Sequence, residues 1–191
     1  MYRKVIYSLI LFSVSVKSMS NDLTDIIQYG AGYYSSIYIH ELGHAAAAKA
    51  FGASDITIEL PIKGSLFSGA TYYKIDNSIN LSKSNGRLMS LSGLIAGNLA
   101  NEIVIETNGL HSNPFAQSIA ASAHIVNVSN IFNYYTRVRG QNGWAGNDID
   151  SYELNGGNPH ILSAILISYT LWSLKRMSDK NIPLFGVEYK F

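Results

Sequence analysis

The sequence predicts a mainly α-helical fold with one small β-hairpin or sheet, its several helices gathered into a transmembrane bundle. Three observations carry that expectation. Only 14% of the 191 residues are charged and 47% are hydrophobic, whereas an ordinary soluble domain carries about 25% charge. Four stretches of span length, at residues 26–51, 88–105, 115–135 and 160–177, hold little charge. Residues 55–60 instead alternate polar and apolar, the two-residue period of a half-buried strand. A mean hydropathy of +0.09 is low for a chain that crosses a membrane several times. A soluble, largely helical domain is therefore the second reading, and the clustering of the uncharged runs favours the first.

The elements follow in order. Arg3 and Lys4 precede a mostly apolar run at 5–16, with the small residues Ser18 and Ser20 after it. That pattern reads as a signal peptide or N-terminal anchor over residues 1–20, leaving 21–191 as a single domain. In the first helical stretch Tyr33, Ile37, His40, His44, Ala47 and Phe51 fall on one stripe. After the strand at 55–60, Pro61 and Gly64 mark a turn, and residues 70–75, with Tyr72 and Tyr73, read as its partner. The pair either packs on the bundle or offers a free edge to an extended peptide.

Residues 88–105 are apolar apart from Ser90, Ser92, Asn98, Asn101 and Glu102. Residues 115–135 carry His124, Asn127, Asn130 and Asn133 among Ala, Ser, Ile and Val. Pro159 opens the last helix, which Lys175 and Arg176 close. Gly93, Gly97 and the alanines at 45–48 permit close helix approach. Polar groups within spans are costly and turn towards a bundle interior or a water-filled site. Phe185, Val187, Tyr189 and Phe191 alternate like a terminal barrel strand. Too few other segments alternate for a barrel, so the tail reads as an edge strand.

Charge and cysteine content exclude several classes. The net charge is +1 and no basic stripe carries interleaved aromatics, so nucleic acid is not an expected partner. The absence of cysteine excludes a disulfide scaffold and a thiolate metal site. Any metal ligands must come from His, Asp or Glu.

The chemistry concentrates at His40-Glu41-Leu42-Gly43-His44. Two histidines four apart share a helix face and can both reach one Zn²⁺ at about 2.0–2.1 Å. On a stripe shared with apolar residues, two imidazoles would be costly to bury without such a partner. Glu41 is placed to take a proton from a metal-activated water. A catalytic zinc needs three protein ligands and an open position. Asp148 is the expected third ligand, because a carboxylate at a turn before a short helix can point back into a bundle. Asp150, Glu102, His124 and Asn155 compete, although Asp150 has the simpler role of a helix cap.

His40-Glu41-Leu42-Gly43-His44-Ala45, with Ala48 and Gly52 after it, resembles the signature of the site-2 protease family of membrane zinc metalloproteases. The order of elements is similar: a motif helix, a β-rich segment, further helices, then a distant aspartate. The resemblance implies an endopeptidase that cuts peptide bonds in or near the membrane by zinc-activated water. It implies His40, His44 and Asp148 on the metal, Glu41 as base, and Asn130 or Asn133 as hydrogen-bond donors to the oxyanion or substrate. Expected partners are a protein or peptide substrate, membrane proteins included, and membrane lipid. The chain departs from the family where no proline occupies residues 130–133 and Ile149 rather than glycine follows Asp148. Aligning Leu154-Asn155-Gly156-Gly157 on the family's Asp-Gly element would instead place an amide at the ligand position. Two alternatives follow: a soluble secreted or periplasmic zinc peptidase, and a non-catalytic membrane protein keeping a degenerate metal site.

Overall fold

Glycine at 52 sets where the first helix stops, because its φ of 88° lies in the left-handed region that closes a helix without steric cost. The helix it ends, α1 (Leu23–Ala50), leads into β1 (Ser54–Glu59) and β2 (Ala70–Lys74). Then come α2 (Lys83–Glu106), a short 3-10 turn at Asn108–Leu110, α3 (Pro114–Thr136), α4 (Asp148–Leu154) and α5 (Pro159–Asp179). The computed structural model describes residues 23–61, 68–76, 81–136 and 147–187. The expected leader at 1–20, the Gly64 turn and the last tail residues lie outside the described residues. Among those described, the tail forms a single bridge, Leu184 to Val187.

Local chemistry accounts for the helix starts. The Ser82 side chain accepts from the Asn85 amide and begins α2 five residues before its apolar run. Asn147 accepts from the Ile149 and Asp150 amides to open α4. Asn158 does the same for His160 and Ile161, with Pro159 at the first position of α5. β1 and β2 pair antiparallel, with Thr57 opposite Tyr72 and Ile58 opposite Thr71. The fold is mainly helical with a small two-stranded sheet, as the sequence expected.

Helices α1, α2 and α3 pack on one another, the hairpin lies on α1, and α4 is wedged against α2 and α5. Glycines allow the closest approaches. A Cβ on Gly43 would lie 2.3 Å from the Ser92 carbonyl oxygen of α2, and one on Gly32 2.2 Å from the Phe115 carbonyl oxygen of α3. Small residues thus let these backbones meet.

The bundle interior mixes apolar clusters with buried polar side chains. Asn101, Ser118, Ser122, Asn127 and Ser173 are fully buried, whereas Leu99, Ile103, Phe132, Ile161, Ile165 and Trp172 are exposed. The buried amides and hydroxyls satisfy one another. Asn101 Nδ2 donates to Tyr169 Oη at 2.9 Å and to Ser173 Oγ at 2.7 Å. Asn127 Nδ2 donates to Asn98 Oδ1 at 3.0 Å and to Thr170 Oγ1 at 3.2 Å. By length and composition, one helix among the described residues, α2, is apolar enough to cross a membrane.

Candidate metal centre

Helical spacing brings the two motif imidazoles to one face of α1, with Nε2 of His40 and Nε2 of His44 3.1 Å apart. Backbone chemistry on α2 fixes the second ring. His44 Nδ1 lies 2.7 Å from the Met89 carbonyl oxygen, so it carries a proton and donates there, leaving Nε2 as the atom that faces Asp148. Ser92 Oγ also donates to Met89 O at 2.7 Å and lies 3.3 Å from the same ring nitrogen. His40 Nδ1 is buried with no hydrogen-bond partner among the described residues.

Asp148 completes the group from a distant part of the chain. Its Oδ2 lies 3.1 Å from His40 Nε2 and its Oδ1 lies 3.1 Å from His44 Nε2. Several contacts hold it there. The Asp148 amide donates to Asn130 Oδ1 of α3 at 2.9 Å. The next residue, Ile149, is fully buried against Leu94, Tyr134, Leu162 and Leu166, which anchors α4 among three other helices. Burying such a side chain contributes about 1.5–3 kcal/mol. Ser151 Oγ meets Ser90 Oγ of α2 at 2.7 Å, and Arg87 Nη1 donates to the Asn155 carbonyl at 3.1 Å.

The donor set fits a metal ion. Ligands at about 2.0–2.1 Å around a tetrahedral ion stand about 3.3 Å apart; the two Nε2 atoms stand 3.1 Å apart, each lies 3.1 Å from a different Asp148 oxygen, and one donor atom from each residue falls within 4.8 Å of the others. The Asp148 Oδ2 atom is buried and takes no hydrogen bond, as befits an oxygen whose partner is a cation. Burial pushes the Asp148 carboxyl up, but the facing His40 and His44 rings more than offset this and hold it below the usual carboxylate range. Among the described residues, His40, His44 and Asp148 form the one group of three such side chains able to hold a metal.

The packing leaves no slack beneath the rings. A Cβ on Gly93 of α2 would lie 2.3 Å from His44 Nε2 and 2.7 Å from His40 Nε2. Glycine at 93 is therefore the floor of the site. Glu41 is buried beside it, and Thr71 of β2 donates to Glu41 Oε2 at 2.8 Å.

The other sequence candidates make the following contacts. Asn130 accepts from Asp148 N and donates to the Val126 carbonyl at 3.1 Å, so its amide braces the metal loop. Asn133 is half-buried on α3, 3.5 Å from Ser129 Oγ. Asp150 Oδ2 accepts from Asn147 Nδ2 at 2.9 Å within the α4 cap. Glu102 pairs with Arg176 at 2.7 Å and accepts from Tyr169 at 2.8 Å. His124 Nε2 faces Ser173 Oγ at 3.3 Å, and Asn155 Nδ2 donates to Ser151 O at 2.8 Å. Sequence reasoning did not single out Thr71 or Met89 as parts of the site, and it took Gly93 only as a point of helix approach. Glycine on a helix face opposite two histidines was the one available signal.

No protein-family model, curated protein or solved structure matches the chain.

Proposed function

We propose that the chain is a zinc-dependent endopeptidase of the site-2 protease type that cuts peptide bonds in or near a membrane. The observation that carries this reading is the convergence of His40 Nε2, His44 Nε2 and an Asp148 carboxylate oxygen within 4.8 Å of one another, with a buried Glu41 next to His40 in the chain. His40, His44 and Asp148 would hold the Zn²⁺. When bound, that ion supplies the Lewis acidity that polarises a peptide carbonyl and acidifies a water. Glu41 accepts the proton of the attacking water and returns it to the leaving amine, the general acid–base role for which its place beside His40 suits it. His44 stays neutral and oriented through its Nδ1–H bond to Met89. β1 and β2 form a two-stranded sheet, which leaves an outer edge on each strand to hold an extended peptide by its backbone.

Membrane location is supported by the large apolar side chains exposed on the long helices. Helices α1, α2, α3 and α5 each have at least 20 residues, enough to span. Asn, Ser and Thr that face the interior lower their mean hydropathy, while Leu, Ile, Val and aromatic side chains are prominent among the outward residues. Such an arrangement suits lipid outside and a polar, metal-bearing interior.

The test uses fluorescein-labelled casein as probe, with purified wild type and Glu41→Gln at matched zinc content. Zinc-dependent cleavage lost in the variant supports the reading. Cleavage that survives Glu41→Gln unchanged removes Glu41 as the base.

A further inference from the structure

Glu41 follows His40 by one residue, and consecutive helical side chains point about 100° apart. Helical geometry that aims His40 and His44 at a metal therefore leaves the Glu41 carboxylate unaimed. Something outside α1 has to hold it. Glu41 is only 6% exposed, and a buried carboxylate requires donors. Thr71 provides one. Its hydroxyl donates to Glu41 Oε2 at 2.8 Å and stands 2.9 Å from the Glu41 carbonyl oxygen, so one residue of β2 grips both ends of Glu41.

The strand is built to deliver that hydroxyl. Thr71 is paired with Ile58 of β1, which fixes its backbone, and β-branching narrows its χ1 choices. Two residues earlier, Gly69 lets the chain run against the glutamate stem. A Cβ there would lie 2.8 Å from Glu41 Cγ, 2.8 Å from Leu60 Cδ1 and 3.0 Å from Ile37 Cγ2. Glycine at 69 and threonine at 71 thus box the carboxylate between backbone and hydroxyl.

We propose that Thr71 is a positioning residue, whose hydroxyl aims the Glu41 carboxylate beside the His40–His44–Asp148 centre. The hairpin is then part of the reaction machinery as well as a peptide-binding edge. The inference rests on the reading of Glu41 as proton acceptor.

The experiment compares wild type, Thr71→Val, Thr71→Ser and Glu41→Gln, each with its zinc content measured. Infrared difference spectra against Glu41→Gln isolate the Glu41 carboxylate stretch, and labelled casein reports cleavage. Thr71→Val is expected to shift that band and slow cleavage by about 10- to 100-fold, the effect of one hydrogen bond to a charged group. Zinc content is expected to stay at the wild-type level, and Thr71→Ser to restore both band and rate. A wild-type band and rate in Thr71→Val overturns the proposal, as does a loss that serine does not restore. If the band shifts with Thr71→Val while Glu41→Gln cleaves as fast as wild type, the contact stands and the reading of Glu41 as proton acceptor fails.

Discussion

Asp148 Oδ2 approaches His40 Nε2 to 3.1 Å without a hydrogen bond between them, although the oxygen is buried. A proton shared between the two groups would align donor and acceptor. A cation between them would require that both atoms be close and turned towards it, and the 3.1 Å separation meets the first condition. The three side chains come from α1 and α4, and neither helix makes the centre alone.

The floor of the centre is expected to tolerate no side chain. Gly93→Ala places a methyl group 2.3 Å from where His44 Nε2 now lies, so the rings must part. Zinc affinity, measured by competition with a chelating dye, is expected to fall at least about tenfold, as for other changes that misorient ligands. Gly97→Ala is the control, since a Cβ there meets nothing within 4 Å.

Asn130 and Asn133 are expected to separate. Asn130→Ala leaves the Asp148 amide without its 2.9 Å acceptor, costing about 1–3 kcal/mol in stability and about 10- to 100-fold in zinc affinity. Asn133→Ala, whose side chain has only a long 3.5 Å contact to Ser129 Oγ, is expected to stay within about 0.5 kcal/mol. Melting temperature and dye competition read both. A rate loss of about 10²–10³ at unchanged zinc content in either variant would instead assign that residue to the oxyanion.

Acid should dismantle the metal-free centre in a defined direction. The folded Asp148 carboxyl ionises below its ordinary value of 3.8 because the two imidazoles face it. Its contribution is then fully present above that value and is lost as pH falls through the lower folded one. In chelator-treated protein, the stability gap between wild type and Asp148→Asn is expected to be constant from pH 6 to about 4 and to shrink below. Asp148 also raises His44 to about 9, so the gap grows as pH falls from about 9 to 6.5; a gap that widens further below pH 4 would contradict the assignment.

The membrane reading has its own outcome. Exposed Leu99, Ile103, Phe132, Ile161 and Ile165 would face acyl chains, so the expressed protein is expected to resist carbonate extraction and to need detergent for solubility. Release into the carbonate supernatant would favour the soluble peptidase.

Much of the architecture could be read locally. The apolar stripe and the His40–His44 spacing fixed the motif helix, found at Leu23–Ala50, and alternation placed β1 and β2. Start positions were less legible. The polar first turn of α2 carries no periodicity, and its beginning depends on one hydroxyl at Ser82. The rest of the site depends on contacts between distant residues. Asp148 reaches the histidines because Ile149 is buried against residues of α2, α3 and α5. Thr71 reaches Glu41 through strand pairing, and alternation alone does not reveal what a strand residue touches. Glu102 looked eligible as a ligand until Arg176, on another helix, claimed it.

Metal content measured by elemental analysis on wild type, His44→Ala and Asp148→Ala tests the central claim most directly. The account predicts close to one zinc per wild-type chain, with a large loss in both variants. Zinc retained in Asp148→Ala, or absent from properly folded wild type after zinc loading, would contradict it.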